Sequence, residues 1–428
     1  MANTTAEIRQ ENFFSIIRSV HAVGSASRRQ LAASTGLSFA TVSTLCAKLI
    51  NLGLLAESAP EKAIVGRPTS PVSLNPDFGI VIGVDLAETY ARVESFDASL
   101  ESVSSTEAPL DTRLHDPREI TEPVTAMIRE EISRHRDSAI LGIGISTPGV
   151  VDPVAGTSVF APNWAWRNVS LFPLLNDSLP VPVHIDNPLK YLALAELWGN
   201  PGRLDQSFVT VNIGTGVGAG IVLDGKVLRG PTNSAGEWGH STLVADGRAC
   251  RCGSRGCVEA YVGAPGIMAT MSELAPGSPL LTEGDQTATL TALGEASSVG
   301  DPAVDAILDA TGRHLAAGVA SLINILNPDA IVIGGWVMDH IGAPLLEQVR
   351  HHVGSYAIHA ALDAMTIEPR SDRTNSVCLG AAISAFERYA GSPDALGAAT
   401  AGDAASSSAG ESLTGRKRPR RRRANPQS

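Results

Sequence analysis

Residues 208–228 read FVTVNIGTGVGAGIVLDGKVL, and residues 79–97 read GIVIGVDLAETYARVESFD. Each stretch runs from an apolar strand through a polar or glycine-rich turn into a second apolar strand. This internal duplication predicts two hairpins that hold a nucleotide between two lobes. Helical patterns fill the spaces between strands, at residues 117–135, 189–198, 302–326 and 375–390. The sequence therefore predicts an α/β fold of two lobes.

A candidate metal site follows the second hairpin. Three of the five cysteines, Cys250, Cys252 and Cys257, lie within eight residues, and His240 precedes them. Thiolate sulfur and imidazole nitrogen suit tetrahedral zinc, and four protein ligands make a closed, structural site. Unconnected reduced cysteines are the alternative interpretation. A disulfide is disfavoured because Cys250 and Cys252 are too close in sequence to pair easily. The remaining cysteines, Cys46 and Cys378, are expected to be small buried residues.

The pattern at residues 7–57 predicts three helices and a strand, and residues 27–55 resemble a helix-turn-helix. Gly36 permits the sharp turn, and Ser38 is a suitable N-cap for a second helix that would enter a major groove of DNA. Short polar side chains on this helix could reach phosphates or base edges, and basic side chains could contact phosphates. The predicted DNA-binding residues here are Arg28, Ser38, Thr41, Ser43, Thr44 and Lys48.

Residues 52–76 read as two short strands around a polar turn, which makes the module a winged helix-turn-helix. Gly66, Arg67 and Pro68 would form the wing, and Arg67 at its tip is predicted to enter the minor groove. A three-helix dimerisation or protein-binding domain is the alternative, because such domains also contain amphipathic helices.

Charge is distributed unevenly along the chain. Subtracting the net +3 of residues 1–75 and the +7 of residues 416–423 from the total of −11 leaves −21 for the rest. An acidic body repels nucleic acid, so DNA contacts must come from the ends.

Low hydrophobicity after residue 391 predicts a disordered basic tail. The chain shows neither a signal peptide nor an apolar run of about 20 residues, so we expect a cytoplasmic protein with no membrane partner.

Several motifs together resemble the ROK family (repressor, open reading frame, kinase) over about residues 10–390. These are IGTGVGAGIV, AGEWGH, GHSTLVADGRACRCGSRGCVEAY, NPDAIVIGG, and GRPTSPVSLNP leading into VIGVDL. The resemblance implies an actin-like, ribonuclease-H-like fold with a sugar in the cleft and structural zinc on the four residues named above. The sugar-binding residues that it implies are Asn187, Glu237, His240 and Glu259, and His240 would offer one ring nitrogen to zinc and the other to sugar.

Two departures from the family's kinases argue against catalysis. The family's spacing places Pro188 where the kinases have the catalytic Asp, and proline cannot act as a general base. The family's first phosphate loop, Asp-x-Gly-x-Thr, reads Asp85 to Thr89 here, with Ala87 replacing the glycine and Glu88 adding a negative charge. We therefore expect no catalytic residues and no sugar kinase activity, although the second loop, residues 214–218, is intact. Lys190 in the pocket floor leaves open a phosphorylated or acidic sugar, or no sugar at all.

The sequence thus predicts four parts: a winged helix-turn-helix at 1–76, a first lobe at 77–189 completed by the helix at 375–390, a second lobe at 190–374 and a disordered tail at 391–428. The predicted protein is a repressor of sugar uptake and catabolism genes. It would bind double-stranded operator DNA as a homodimer or homotetramer and respond to a sugar or sugar derivative. An active sugar kinase with an appended DNA-binding domain, and a ligand-independent regulator controlled by a partner protein, are the alternatives.

Overall fold

The structure is a computed structural model of the 428-residue chain and describes residues 5–58, 70–111, 113–175, 179–204, 206–370 and 375–391. In chain order its helices and strands are α1 (Thr5–Val23), α2 (Arg28–Thr35), α3 (Phe39–Asn51), β1 (Leu55–Glu57), β2 (Val72–Leu74), β3 (Ile80–Leu86), β4 (Tyr90–Asp97), β5 (Ser102–Pro109), α4 (Pro117–Arg134), β6 (Ile140–Ser146), β7 (Val150–Asp152), β8 (Thr157–Ala161), β9 (Trp166–Ser170), α5 (Phe172–Leu175), β10 (Val183–Asp186), α6 (Pro188–Gly199), β11 (Phe208–Ile213), β12 (Val217–Leu223), β13 (Lys226–Val227), α7 (Glu259–Val262), α8 (Ala264–Leu274), α9 (Gln286–Ser297), α10 (Pro302–Leu326), β14 (Ala330–Gly334), α11 (Trp336–Val353), α12 (His359–Leu362), β15 (Thr366–Pro369) and α13 (Ser376–Ala390).

Two five-stranded sheets share one topology. Their strand orders are β5-β4-β3-β6-β10 and β13-β12-β11-β14-β15. In each sheet an antiparallel hairpin is followed by two strands that add in parallel, β6 and β10 to the first hairpin and β14 and β15 to the second. The two hairpins are the duplicated stretches, so the predicted two-lobe α/β fold is confirmed.

Helix α13 returns from the end of the described chain to the first lobe and lies on the face of its sheet. A Cβ atom added to Gly83 of β3 would lie 1.9 Å from the Cys378 carbonyl oxygen, so the helix backbone approaches the strand as closely as only glycine allows. Helix α6 contacts both α13 and β12. It therefore bridges the two lobes.

Three large apolar clusters stabilise the chain. One fills the second lobe between its sheet and helices α8 to α11, and another fills the first lobe beneath α4. The third joins the N-terminal helices to α6 and α13 through residues that include Ile17, Val20, Trp198 and Phe386. The N-terminal module therefore shares a continuous core with the lobes.

The N-terminal module contains the three helices and the strand predicted for residues 7–57. Gly36 adopts a left-handed φ of 68°, and the Ser38 hydroxyl accepts the backbone N–H of Thr41 as the N-cap of α3. Helices α2 and α3 are bent by 118° relative to each other, within the range of helix-turn-helix pairs. Strands β1 and β2 pair antiparallel. The predicted wing, including Arg67, lies outside the described residues.

The four predicted helical segments correspond to α4, α6, α10 and α13. The sequence did not predict the three-stranded sheet β7-β8-β9 or helices α8, α9 and α11. The predicted boundary between lobes, at residues 189 and 190, falls inside the first turn of α6. Within the described ranges, no single helix is long and apolar enough to cross a membrane. Residues 392–428, which hold the predicted tail, lie outside the described residues.

Candidate functional site

The four predicted metal ligands converge on one loop of the second lobe, residues 240–257, called the metal loop for these candidate ligands. His240 ends a short 3₁₀ turn that begins at Glu237, and the chain then bends back so that Thr242 bridges to Cys257. Positive φ angles at Gly253 and Gly256 allow this tight loop to close. As a result, the ligand atoms of His240, Cys250, Cys252 and Cys257 lie within 4.8 Å of one another.

The spacing of these atoms fits a tetrahedral metal ion. The Sγ atoms of Cys252 and Cys257 are 3.8 Å apart, and His240 Nδ1 is 3.6 Å from the Sγ atom of Cys250. Bond lengths typical of zinc give sulfur–sulfur separations of about 3.8 Å and nitrogen–sulfur separations of about 3.5 Å in a tetrahedron. The cluster can therefore hold a metal ion.

The His240 ring also reaches toward the cleft. While Nδ1 faces the sulfur cluster, Nε2 lies 4.0 Å from Oε2 of Glu237. Burial raises the pKa of the Glu237 carboxyl, and the nearby His240 and Lys190 oppose that rise. The His240 ring thus has one nitrogen that faces the sulfur cluster and a second that faces Glu237.

Glu259 connects the metal loop to the second glycine-rich loop. Its side chain is buried, and its Oε2 atom accepts the backbone N–H of Val217 at 3.0 Å. Its Oε1 atom accepts the Nε–H of Arg251 at 3.0 Å. These contacts fix the Glu259 carboxylate beside the metal cluster and leave it few free hydrogen-bonding positions.

Arg251 extends from the metal loop across the cleft to the first lobe. Its Nη1 atom lies 3.4 Å from Glu88 Oε1 and also donates to the Asn163 side chain, while the Asn163 amide donates to Glu88. A Cβ atom on Gly216 would lie only 2.5 Å from Arg251 Nη2, so the guanidinium lies against the glycine-rich loop. Burial raises the pKa of Glu88, and Arg251 opposes that rise. The cross-lobe contact was not predicted from the sequence.

The N-terminus of α6 forms the floor of the cleft. Asn187 is its N-cap: the Oδ1 atom accepts the Leu189 N–H at 2.8 Å, and the Nδ2 group donates to the Gly149 carbonyl at 2.6 Å. Pro188 follows at the first helical position, where its missing N–H costs nothing. Pro188, which the sequence comparison with the family's kinases matched to their catalytic Asp, thus lies at the start of a helix.

Several charged side chains lie around this floor, and Asp186 and Lys190 among them are buried. The Asp186 carboxylate accepts hydrogen bonds from Arg229 and from Asn233 Nδ2, the latter at 2.8 Å. Lys190 is almost fully buried and donates to the Ala235 carbonyl. Burial lowers the pKa of Lys190, and Asp186 and Glu237 counteract this. Arg229 and Asn233 were missed in the sequence, where their only signal is a position shortly after the second hairpin.

The first phosphate loop is occupied by internal contacts. Asp85 is buried, and its Oδ2 atom accepts the Tyr90 hydroxyl at 2.8 Å and the Asn375 amide at 3.3 Å. Burial raises the pKa of Asp85. This carboxyl group is therefore already engaged by the protein's own side chains.

The predicted DNA-binding side chains that the structure describes lie on α2, at the N-cap of α3 and on α3, and several make local contacts. Ser38 Oγ lies 2.8 Å from Thr41 Oγ1, Thr44 donates to the Ala40 carbonyl, and Arg28 pairs with Glu57 at 2.8 Å. Ser43 is half-buried and Lys48 is exposed. Of this group, only Arg67 lies outside the described residues.

The two similar lobes and their paired hairpins define a two-lobe α/β protein with an actin-like fold, and the second lobe carries a histidine and cysteine cluster that could hold a metal ion. A sequence model of the ROK family matches residues 81–388, and the chain belongs to that family.

Relatives of two kinds are similar to it. The xylose repressor of Caldicellulosiruptor bescii is 28% identical over 387 residues, which cover 89% of this chain and 96% of the repressor. The glucokinase of Halalkalibacterium halodurans is 32% identical over 291 residues, 66% of this chain and 87% of the enzyme. The crystal structure of a ROK family transcriptional regulator, a homologue of the E. coli MLC protein, has the same fold, with a TM-score of 0.74 and 24% identity over 92% of this chain and 98% of that one.

The match to the xylose repressor extends beyond the two lobes. Only 40 residues follow residue 388, so a match over 89% of the chain must extend into the first 80 residues. The similarity to the repressor therefore includes part of the N-terminal module.

Proposed function

We propose that the chain is a DNA-binding transcriptional repressor of sugar-metabolism genes that responds to a sugar or sugar derivative bound between its lobes. The observation that carries this proposal is the attachment of a helix-turn-helix pair, bent by 118°, to ROK lobes through one continuous apolar core. A shared core makes the position of the helices sensitive to the conformation of the lobes.

The N-terminal module is proposed to be a winged helix-turn-helix, with the segment between β1 and β2 as the wing and α3 in the major groove. Arg28, Ser38, Thr41, Ser43, Thr44, Lys48 and Arg67 are the proposed contacts. A homodimer or homotetramer would place two such modules on a pseudo-palindromic operator.

The cleft is proposed to bind the effector through Asn187, Glu237, His240 and Glu259. Carboxylate, amide and imidazole groups match the alternating donors and acceptors of sugar hydroxyls. Zinc is the proposed metal of the His240 and cysteine cluster, where it would hold the loop that carries Glu259 and orient the His240 ring.

Helix α6 offers a direct route from this pocket to the DNA module. Its first turns hold Asn187 and Lys190, and its twelve residues span about 18 Å to the last turn. There the Trp198 ring lies 5.7 Å from the ring of His21 in α1, and its Nε1–H donates to Glu387 at 3.1 Å. A ligand that shifts the start of α6 would therefore move the C-terminal end of α1, where His21 lies. A coupling free energy of ~1–3 kcal/mol between ligand binding and DNA binding is enough to switch a promoter.

The cleft is proposed not to phosphorylate sugars. Pro188 cannot accept a proton, Asp85 is engaged by Tyr90 and Asn375, and Arg251 lies over the glycine-rich loop. One observation favours an active sugar kinase as the second candidate, namely 32% identity to a glucokinase. Sugar-dependent ATP consumption would decide for that candidate.

The test is a genome-wide map of the DNA bound by this protein in its own cells. We compare the natural chain with Lys48→Ala on α3 and, as a matched control, with Arg118→Ala, which removes an exposed charge from α4. The expected result is a small set of inverted-repeat sites beside sugar transport or catabolism genes, weakened by Lys48→Ala alone. Diffuse or absent binding would overturn the proposal. Sharp binding that no member of a sugar panel alters would favour regulation by a partner protein.

A further inference from the structure

The exposed side chains of α3 are an unusual set for a helix that reads DNA. Phe39, its first residue, is 59% exposed, although the module's core is complete without it. Ala40, Thr44 and Ala47 are also exposed, and their spacing places them on one helical face, whereas Phe39 is exposed at the start of the helix, in line with the buried Val42 and Cys46. The first exposed charge on this helix is Lys48, in its third turn.

This face has few groups that read bases by hydrogen bonds. Arg, Lys, Asn and Gln are the side chains that form bidentate hydrogen bonds to a single base. None of them occurs in α3 before Lys48. The Thr44 hydroxyl donates to the Ala40 carbonyl at 3.0 Å, and Ser38 and Thr41 are engaged with each other at the N-cap. What α3 presents is therefore mostly methyl groups and one aromatic ring.

We infer that α3 recognises the C5 methyl groups of thymine in the major groove, with Phe39 as the principal contact. This inference rests on the proposed function and specifies how it reads sequence. The thymine methyl is the apolar feature that base pairs present in the major groove, and the first residues of a recognition helix lie nearest the base edges. Charge favours DNA as the partner of this surface. Arg29 of α2 and Lys48 of α3 are exposed, and residues 1–75 are net positive within an acidic chain.

The test uses two pools of random-sequence duplexes, one made with thymidine and one with deoxyuridine, which pairs identically but lacks the methyl group. The full chain selects sites from the thymidine pool, and each selected site is then remade with deoxyuridine at single positions. We expect enriched thymines in each half-site and a loss of affinity of about three- to five-fold for each contacted methyl removed, as burial of one methyl-sized group gives.

Three variants complete the design. Phe39→Ala is expected to bind thymidine sites at least five-fold more weakly and to lose the sensitivity to deoxyuridine at the positions that Phe39 contacts. Phe39→Leu retains an apolar group and should keep part of both effects. Ile358→Ala, which removes a side chain that is 64% exposed on the second lobe, should bind both kinds of DNA like the natural chain.

The outcomes separate this inference from the proposed function. If neither pool yields an enriched sequence, DNA recognition itself fails, and with it both proposals. If sites are enriched but bind equally well with thymidine and deoxyuridine, DNA binding stands and methyl recognition is overturned. If Phe39→Ala changes only the association of chains with one another, Phe39 belongs to a contact between two copies and the inference is wrong.

Discussion

Arg251 Nη1 lies 3.4 Å from Glu88 Oε1, so an ion pair joins the metal loop of the second lobe to the hairpin turn of the first. Arg251 is held from the other side by Glu259 at 3.0 Å. Arg251, which stands between Cys250 and Cys252 in the chain, thus contacts both lobes.

We predict that Arg251→Gln loosens this contact and increases opening of the cleft. The pair is partly exposed, so its loss should cost about 0.5–1 kcal/mol and raise amide exchange in residues 214–218 two- to five-fold. Arg255→Gln, on the exposed side of the same loop, is the control and should leave exchange unchanged. A double-mutant cycle with Glu88→Gln should give a coupling free energy of similar size. Equal exchange in the two arginine variants would show that the Arg251–Glu88 ion pair does not hold the lobes together.

We expect Cys257→Ser to release the metal and destabilise the loop that carries Glu259. Cys257 is fully buried in the cluster, and a missing thiolate leaves three ligands for a site that needs four. Elemental analysis should show metal loss, with a fall of several degrees in the melting temperature. Cys378→Ser, at a buried cysteine outside the cluster, is the control and should keep its metal. Unchanged metal content in Cys257→Ser would contradict the assignment.

We predict no sugar-dependent ATP turnover by the natural chain. Catalysis needs a general base at the sugar hydroxyl, and Pro188 supplies none. A coupled assay should give a rate at the level of the enzyme-free blank across a panel of sugars, with a glucokinase of the family as positive control. Turnover that Glu237→Ala abolishes would show that the cleft is an active site after all.

Stability should depend on His184 between about pH 6.5 and pH 4. Burial, with a smaller contribution from Arg388, lowers the pKa of His184 to about 4 from its ordinary 6.5. Because the unfolded chain then binds more protons in this window, stability falls as the pH falls. Partial exposure limits the effect to roughly 1–2 kcal/mol. Denaturant unfolding of His184→Gln should show a flatter pH profile than the natural chain, whereas His359→Gln, at an exposed histidine, should not.

Short-range patterns in the sequence were enough to predict the local structure. The duplicated hairpins, the helices at 117–135 and 302–326, the N-cap Ser38 and the turn at Gly36 were all predictable, because apolar periodicity and cap chemistry act over a few residues. The grouping of His240 with the three cysteines was predictable for the same reason, since the cysteines lie within one short loop.

The contacts between residues that are distant in sequence depend on the tertiary structure. Arg251 and Glu88 are 163 positions apart, and Asp186 and Arg229 are 43 apart, so no local pattern relates them. Their pairing follows from the closure of two lobes and from the placement of α6 against β12. The exposure of Phe39 is also a tertiary result, because a phenylalanine in an apolar helix would be assigned to the core until the packing of Val42, Cys46 and Leu49 shows that the core is already full.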